Sequence, residues 1–174
     1  MLRFFHTSLE ILRIPVNQTG PKNPIVLTVW KKSLIFSCDG FTVYNSNGNL
    51  GFRVDNYFVK GNQEIVLMDA LGRSLHNVRR KSLAYVSTIG SSNNMNKRNV
   101  IYEIQGSYAQ KSCMVYDDKH RCVAEIRRKE AKGGVALGGD VFALVVQPSI
   151  DPAIAMVLAI VLDQMFDSSR RFSK

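Results

Sequence analysis

The chain of 174 residues lacks the signals that assign many proteins to a chemical class at once. Its cysteines, Cys38, Cys113 and Cys122, are odd in number and have no CxxC spacing, which argues against both a disulfide framework and a zinc site. Residues 1–14 lack the continuous apolar core of a secretory signal. These absences favour a reducing compartment. We expect a cytoplasmic protein, with peripheral attachment to the plasma membrane or a nuclear location as alternatives.

Acidic residues are scarce relative to basic ones. The chain has 23 Lys and Arg against 14 Asp and Glu, for a formal net charge of +9. Such a surplus favours polyanionic partners, namely nucleic acid or an anionic membrane surface. The hydrophobic fraction of 45 % is that of a folded domain and not of a disordered chain. A basic globular protein with no polyanionic partner is the alternative.

Signals for catalysis are also missing. The three histidines lie in an N-terminal arm, a predicted strand and a turn, without a recognisable nucleophile (His6, His76, His120). The Gly-rich residues 132–140 lead into a predicted strand, whereas a phosphate-binding loop carries Gly-Lys-Ser/Thr and enters a helix. We therefore expect no enzymatic activity, no cofactor and no metal.

One long apolar run is present, near the C-terminus. Asp151 suits a helix N-cap, Pro152 suits the first helical position, and ten apolar residues follow. A bilayer-spanning helix needs about 20 residues, so the run is more typical of a buried helix, which we place at 151–166. A membrane anchor is the alternative.

The rest of the chain reads as short β-strands separated by turn residues. Ten segments rich in Val, Ile, Phe, Tyr and Thr are predicted strands: 25–30, 41–44, 50–54, 65–68, 74–78, 83–87, 100–104, 113–116, 122–126 and 141–146. Three hairpins, 43–50, 67–74 and 115–122, repeat one turn pattern, with His120 in the place of Gly48 and Gly72. A helix buried on every side needs a wall of strands. The sequence therefore predicts a closed antiparallel β-barrel around a central helix.

Residues 24–167 are expected to form this barrel domain, after an arm and linker at 1–23 and before a basic tail at 168–174. The arm could instead add a strand to the domain. Two similar basic clusters follow hairpins, and a barrel could bring them to one rim. They are the predicted headgroup site: Arg79, Arg80, Lys81, Arg127, Arg128, Lys129 and Lys132. A solvated charged face with no ligand is the alternative.

Several segments resemble the plant LURP-one-related family in their order along the chain. They are 34–54, 66–73 with the basic Arg79-Arg80-Lys81, 102–108, 112–116, and 139–148 leading into the apolar helix. The resemblance covers about residues 24–167. It implies about twelve strands around the helix, as in the tubby C-terminal domain and, by expectation, phospholipid scramblases. The approach to the helix, 148–152, is less aromatic than is usual in the family.

The resemblance also implies a link to plant defence, with a biochemical activity that the family does not define. We expect a monomeric, non-enzymatic module that binds anionic phospholipid, with a phosphoinositide-like headgroup as ligand. A protein-interaction scaffold without lipid binding is the main alternative. Nucleic acid is a weaker one, because no recognised nucleic-acid-binding motif is present.

Overall fold

The computed structural model describes residues 5–12, 22–32, 34, 40–59, 62–80, 84–88, 99–131, 133–135 and 137–167. These residues form eleven β-strands and one C-terminal helix. The elements are β1 (Phe5–Leu12), β2 (Ile25–Trp30), β3 (Gly40–Tyr44), β4 (Leu50–Val59), β5 (Asn62–Asp69), β6 (Ser74–Arg80), β7 (Ala84–Thr88), β8 (Asn99–Ser107), β9 (Ser112–Tyr116), β10 (Cys122–Arg128), β11 (Val141–Val146) and α1 (Pro152–Asp167). All ten predicted strands are confirmed, and β1 shows that the N-terminal segment adds a strand.

The strands form one antiparallel sheet in the order β1-β8-β9-β10-β11-β2-β3-β4-β5-β6-β7. Strands that neighbour each other in the sheet are also consecutive along the chain, with two exceptions. These are the pair β11–β2 and the pair β1–β8. The β11–β2 register sets Ala143 opposite Thr28, and it joins the C-terminal half of the sheet to the N-terminal half. The prediction of an antiparallel, mainly β body is confirmed.

The predicted twelve strands and closed barrel are not confirmed. Over the described residues the ladder has eleven strands, and hydrogen-bonded pairing stops at the edge strands β1 and β7. The Cα atoms of these two strands nevertheless approach within 8 Å. The sheet is therefore strongly curled, as the right-handed twist between neighbouring strands favours.

The helix α1 is buried on every side. Residues 153–163 are each less than 9 % exposed, and eleven consecutive residues make three full turns, so no face of this stretch meets solvent. Alternate residues of the strands pack against it, among them Val29, Val43, Leu67 and Leu144. The predicted buried helix is confirmed.

The start of α1 is fixed by the residues that the sequence indicated. The side chain of Asp151 accepts a hydrogen bond from the backbone N–H of Ala153 at 2.7 Å, and its carbonyl accepts one from Ala155 at 3.0 Å. Pro152 is the first helical residue, where its missing N–H costs nothing. Within the described part of the chain, no helix has the length and apolar character that a bilayer crossing requires.

Candidate functional site

The sheet has two chemically different ends. Because every neighbouring pair is antiparallel, the even-numbered strands run one way and the odd-numbered strands the other. The turns 45–49, 69–73 and 117–121 thus share one end, called the turn end. The exits of β2, β8 and β10 share the opposite end, called the basic end. The helix α1 starts beyond β11 at the turn end and reaches the basic end, where Asp163 meets Lys31.

The three turns at the turn end have one backbone geometry. In each, the N–H of the first residue donates to the carbonyl of the fifth, and the N–H of the fourth donates to the carbonyl of the first, at 2.9–3.0 Å. The fourth residue has a left-handed φ of 79° at Gly48, 81° at Gly72 and 56° at His120. His tolerates this region better than most residues, so the predicted equivalence of the three turns is confirmed.

Side chains complete these turns. Oδ1 of the first residue accepts two backbone N–H groups, from the third and fifth residues, in the turns that begin at Asn45, Asp69 and Asp117. Arg73 and Arg121 then donate from Nε to the second carboxylate oxygen of their Asp, at 2.6 Å and 2.8 Å. The two arginines of these turns, Arg73 and Arg121, are therefore paired with acids of their own turns.

The pKa values of these carboxyl groups follow from the same contacts. The backbone hydrogen bond from Arg73 is the main cause that lowers the pKa of Asp69. Partial burial raises the pKa of Asp117, but hydrogen bonds from Arg121 and Lys119 outweigh burial, and the pKa is lowered overall. Both acids thus remain charged in the folded protein at neutral pH.

The exit of β10 carries three of the predicted site residues to the basic end. Arg127 is exposed and donates from Nε and Nη2 to both carboxylate oxygens of Glu125 at 2.5 Å, a contact that raises its pKa. Arg128 is exposed and donates from Nε to the carbonyl of Gln110 at 3.0 Å. Lys129 follows directly and is half-buried. A neutral carbonyl leaves the charge of Arg128 in place.

The exit of β6 lies at the same end but elsewhere on the sheet. Arg79 and Arg80 are the last residues of β6, with Arg79 opposite Glu64 and Arg80 opposite Ala84. Six strand-to-strand steps separate β6 from β10, or roughly 29 Å along the curled sheet at about 4.8 Å a step. Lys81 and Lys132 lie outside the described residues. The structure therefore puts the two exits at one end without making them a continuous patch.

A buried polar cluster at the basic end escaped the sequence analysis. Asp163, 3 % exposed, accepts a hydrogen bond from the Tyr108 hydroxyl at 3.0 Å and pairs with Nζ of Lys31 at 3.1 Å. The Tyr108 ring stacks on Phe166 with centroids 5.9 Å apart. Nζ of Lys111 lies 3.5 Å from the centroid of Tyr108, a cation–π contact. These contacts fix the C-terminal part of α1 to β2 and to the β8–β9 turn.

The groups that could act as nucleophile or base are poorly placed for catalysis. Cys113 is buried, and burial raises the pKa of its thiol to about 11, so it stays protonated at neutral pH. His76 is buried on β6, and burial lowers its pKa, with Asp151 partly opposing the shift. Cys122 lies opposite Tyr116 and Cys113 opposite Ile126, so the two thiols do not face each other across the hairpin. Among the described residues, no group of three or more potential metal-ligating side chains occurs.

The fold and its two ends define the class of protein: a single-domain antiparallel sheet curled around a buried C-terminal helix, with one basic end. The LURP-one-related family model matches residues 25–101 and 84–163. The chain belongs to the LURP-one-related family, as its sequence resemblance predicted.

Relatives from Arabidopsis thaliana agree with this assignment. Protein LURP-one-related 8 is 46 % identical over 85 % of this chain and 90 % of its own length. Protein LURP-one-related 17 is 38 % identical over 80 % of this chain and 82 % of its own length. An X-ray structure of an Arabidopsis thaliana protein matches with a TM-score of 0.64 at 23 % identity, over 87 % of this chain and 98 % of that one. This structural likeness concerns the fold alone.

Proposed function

We propose that this LURP-one-related protein is a non-enzymatic module that binds anionic phospholipid peripherally, with a phosphoinositide-like headgroup as ligand and a role in plant defence signalling. One observation carries the proposal. The basic exits of β6 and β10 point to the same end of the sheet, while the arginines of the turn end are paired with aspartates of their own turns. A net charge of +9 supports attraction to a polyanion.

The cations of the basic end would give a weak and reversible attraction to an anionic bilayer. Each Lys or Arg held near an anionic bilayer contributes about 1 kcal/mol. The three cations Lys32, Arg128 and Lys129 together supply about 3 kcal/mol, which is weaker than about millimolar affinity. The β6 exit, with Arg79 and Arg80, extends the charged region. A selective headgroup contact or a second source of binding free energy is then required.

We also propose that the sheet completes a closed, tubby-like and scramblase-like barrel. The approach of the edge strands β1 and β7 to within 8 Å supports closure, because only short additional pairing would be needed to join them. Closure would bring the exits of β6 and β10 to opposite sides of one barrel mouth, so that both could face a flat bilayer.

The test is vesicle co-sedimentation of the full chain at low and high salt. Vesicles of neutral lipid, of neutral lipid with phosphatidylserine and of neutral lipid with a phosphoinositide are compared. We expect salt-sensitive binding that is strongest with the phosphoinositide. The double variant Arg79→Glu/Arg80→Glu should lose most of this binding. Because Glu at position 79 would stand opposite Glu64, circular dichroism must first show that the variant is folded.

The control reverses the same number of charges at the turn end, in Lys22→Glu/Lys119→Glu, where both side chains are exposed. The control should bind as the parent does. Absence of binding to every vesicle would contradict the lipid proposal and favour a protein-interaction scaffold. Salt-sensitive binding to nucleic acid in place of vesicles would favour the remaining alternative.

A further inference from the structure

Large exposed apolar side chains are concentrated at the basic end. Six of those in the described part of the chain lie there or on the last residues leading to it: Trp30, Leu34, Tyr57, Val135, Leu137 and Met165. At the turn end Leu71 is exposed, and two others, Val26 and Met114, lie on the outer face of the strands. The end that carries Lys32, Arg128 and Lys129 thus also has most of the large exposed apolar side chains of the described residues.

The β10–β11 connection contains a fourth turn that repeats two backbone hydrogen bonds of the turns at the turn end. The N–H of Ala131 donates to the carbonyl of Val135 at 2.8 Å, and the N–H of Gly134 donates to the carbonyl of Ala131 at 3.1 Å. Gly134 has a φ of 79°, equal to that of Gly48. The third residue, Gly133, also has a positive φ, of 109°, whereas Asn47, Leu71 and Lys119 at the third position of the other turns do not. This turn therefore shares two hydrogen bonds and the left-handed fourth residue with them, but not the whole backbone conformation.

The side chains of this fourth turn differ from those of the other three. Its first residue is Ala131 where the others have Asn or Asp, so the side chain of the first residue cannot accept the turn's N–H groups. Its fifth residue is Val135, 68 % exposed, where the others have Asn or Arg. The turn therefore lacks the hydrogen-bonding side chain of its first residue and exposes the apolar side chain of Val135.

Trp30 lies on the strand next to this connection. Trp30 is opposite Val141 in the β2–β11 register, and the N–H of Lys31 donates to the carbonyl of Asp140 at 2.7 Å. The Trp30 ring is 42 % exposed, with Nζ of Lys32 5.4 Å from its centroid. A Trp with an adjacent Lys is the combination that suits the bilayer interface, where the ring meets acyl chains and the cation meets phosphates.

We propose that the exposed side chains of Val135 and Leu137, together with Trp30, insert into the boundary between headgroups and acyl chains of an anionic bilayer. The inference rests on the proposed function and assigns the part of the protein that enters the lipid. Arg128 and Lys129 precede Val135 and Leu137 in the same connection, and Lys32 lies against Trp30. This charge complementarity selects an anionic bilayer as the occupant. Long-range attraction brings this end to the membrane, and apolar burial adds the binding free energy that the cations alone do not supply.

Trp30 makes a direct test possible, because it is the one tryptophan of the chain. Its fluorescence is recorded during titration with phosphatidylcholine vesicles that contain phosphatidylserine or a phosphoinositide, and with phosphatidylcholine alone. We expect a blue shift with the anionic vesicles only. Lipids brominated near the headgroup end of the acyl chain should quench the signal more than lipids brominated near the methyl end.

Variants separate apolar insertion from charge attraction. Val135→Ser/Leu137→Ser should weaken binding to anionic vesicles about tenfold or more, because two apolar side chains no longer leave water. Leu71→Ser is the matched control at the turn end, where Leu71 is 80 % exposed, and should bind as the parent does. All three changed residues are exposed, so circular dichroism and melting temperature should match the parent.

The possible outcomes distinguish this inference from the proposed function. Co-sedimentation with anionic vesicles, without a Trp30 shift and with unchanged binding of Val135→Ser/Leu137→Ser, would overturn insertion and keep headgroup binding. No co-sedimentation with any vesicle would overturn both, and would leave the apolar end to a protein partner. A Trp30 shift that Leu71→Ser removes as fully as Val135→Ser/Leu137→Ser does would contradict the assignment to the basic end.

Discussion

The two ends of the sheet use one turn for two kinds of surface. At the turn end, Asn or Asp at the first position accepts backbone N–H groups, and Arg73 and Arg121 pair with those acids. At the basic end, the same hydrogen-bonded turn begins at Ala131 and finishes at the exposed Val135. The shared hydrogen bonds thus go with a positive φ at the fourth residue, while the third residue differs, with a φ of 109° at Gly133, and the side chains set the chemistry of each surface.

Both ends are connected by α1, which has a bonded aspartate just before its first residue and another in its C-terminal part. Asp151 caps the helix at the turn end, and Asp163 pairs with Lys31 and Tyr108 at the basic end. Substitutions in the shared helix should therefore affect the whole domain, and substitutions at one end should affect that end alone.

The largest effect is expected from a charge placed in the shared helix. Leu158 is 1 % exposed, so Leu158→Asp would bury a carboxylate without a partner and should cost about 4 kcal/mol or more, enough to unfold the domain. Met165→Asp, at a position 41 % exposed on the same helix, is the control and should remain folded. Urea unfolding followed by circular dichroism measures both, and a folded Leu158→Asp protein would contradict the enclosed helix.

A smaller difference should separate the ion pairs of the two ends. In a double-mutant cycle with Lys31→Met and Asp163→Asn, we expect a coupling of about 1–3 kcal/mol, because Asp163 is buried while Lys31 is partly exposed. The cycle with Arg73→Met and Asp69→Asn should give a much smaller coupling, since the Arg73 side chain is 75 % exposed. Equal coupling free energies in the two cycles would mean that the burial of Asp163 does not strengthen its ion pair relative to the exposed pair at the turn end.

Exchange of the first turn residue should act in opposite directions at the two ends. Asp117→Ala removes two accepted backbone hydrogen bonds and should lower the free energy of unfolding by about 1 kcal/mol. Ala131→Asp supplies the missing acceptor and should raise stability by a few tenths of a kcal/mol. Thermal unfolding of both variants checks whether an acidic first residue supports both turns despite the different φ of Gly133, which a destabilised Ala131→Asp protein would contradict.

The smallest expected effect concerns pH and His76. Burial lowers the pKa of His76 in the folded state below about 6.5, so the unfolded chain takes up the proton first as pH falls. Stability is therefore complete above about pH 6.5 and declines between that value and the lowered folded pKa. His76→Leu should flatten this part of the stability profile, measured by urea unfolding from pH 7.5 to about pH 5. An unchanged profile would assign the decline to other groups.

Local chemistry made most of the fold predictable. Alternating apolar residues marked the strands, Asp151 and Pro152 marked the helix start, and the turn pattern anticipated the left-handed φ of His120. Pairing between distant segments could not be foreseen in the same way. The positions of β1 and β7 at the two edges of the sheet depend on tertiary packing, and the count of twelve strands and the closure of the barrel remain predictions for that reason.

In the candidate site, too, local features were predictable from the sequence, and contacts between distant segments were not. Arg127, Arg128 and Lys129 lie at the end where the hairpin exit suggested, but their distance from Arg79 and Arg80 depends on the number of intervening strands. Lys31 and Asp163, which form an ion pair, are 132 positions apart in the chain. The sequence gives only a weak indication of this pair, namely that the charged Asp163 ends an apolar run. The glycines of residues 132–140 raised only the question of a phosphate-binding loop. The exposed apolar residues within the same segment, Val135 and Leu137, were not predicted as a site.

The most direct test of the account compares charge reversal at the two ends in one vesicle-binding experiment. Arg128→Glu/Lys129→Glu at the basic end and Lys22→Glu/Lys119→Glu at the turn end change the net charge equally. The account predicts that, with phosphoinositide vesicles at low salt, the first variant loses most binding and the second binds as the parent does. Equal losses would show that net charge alone drives association, and would contradict a membrane-binding basic end.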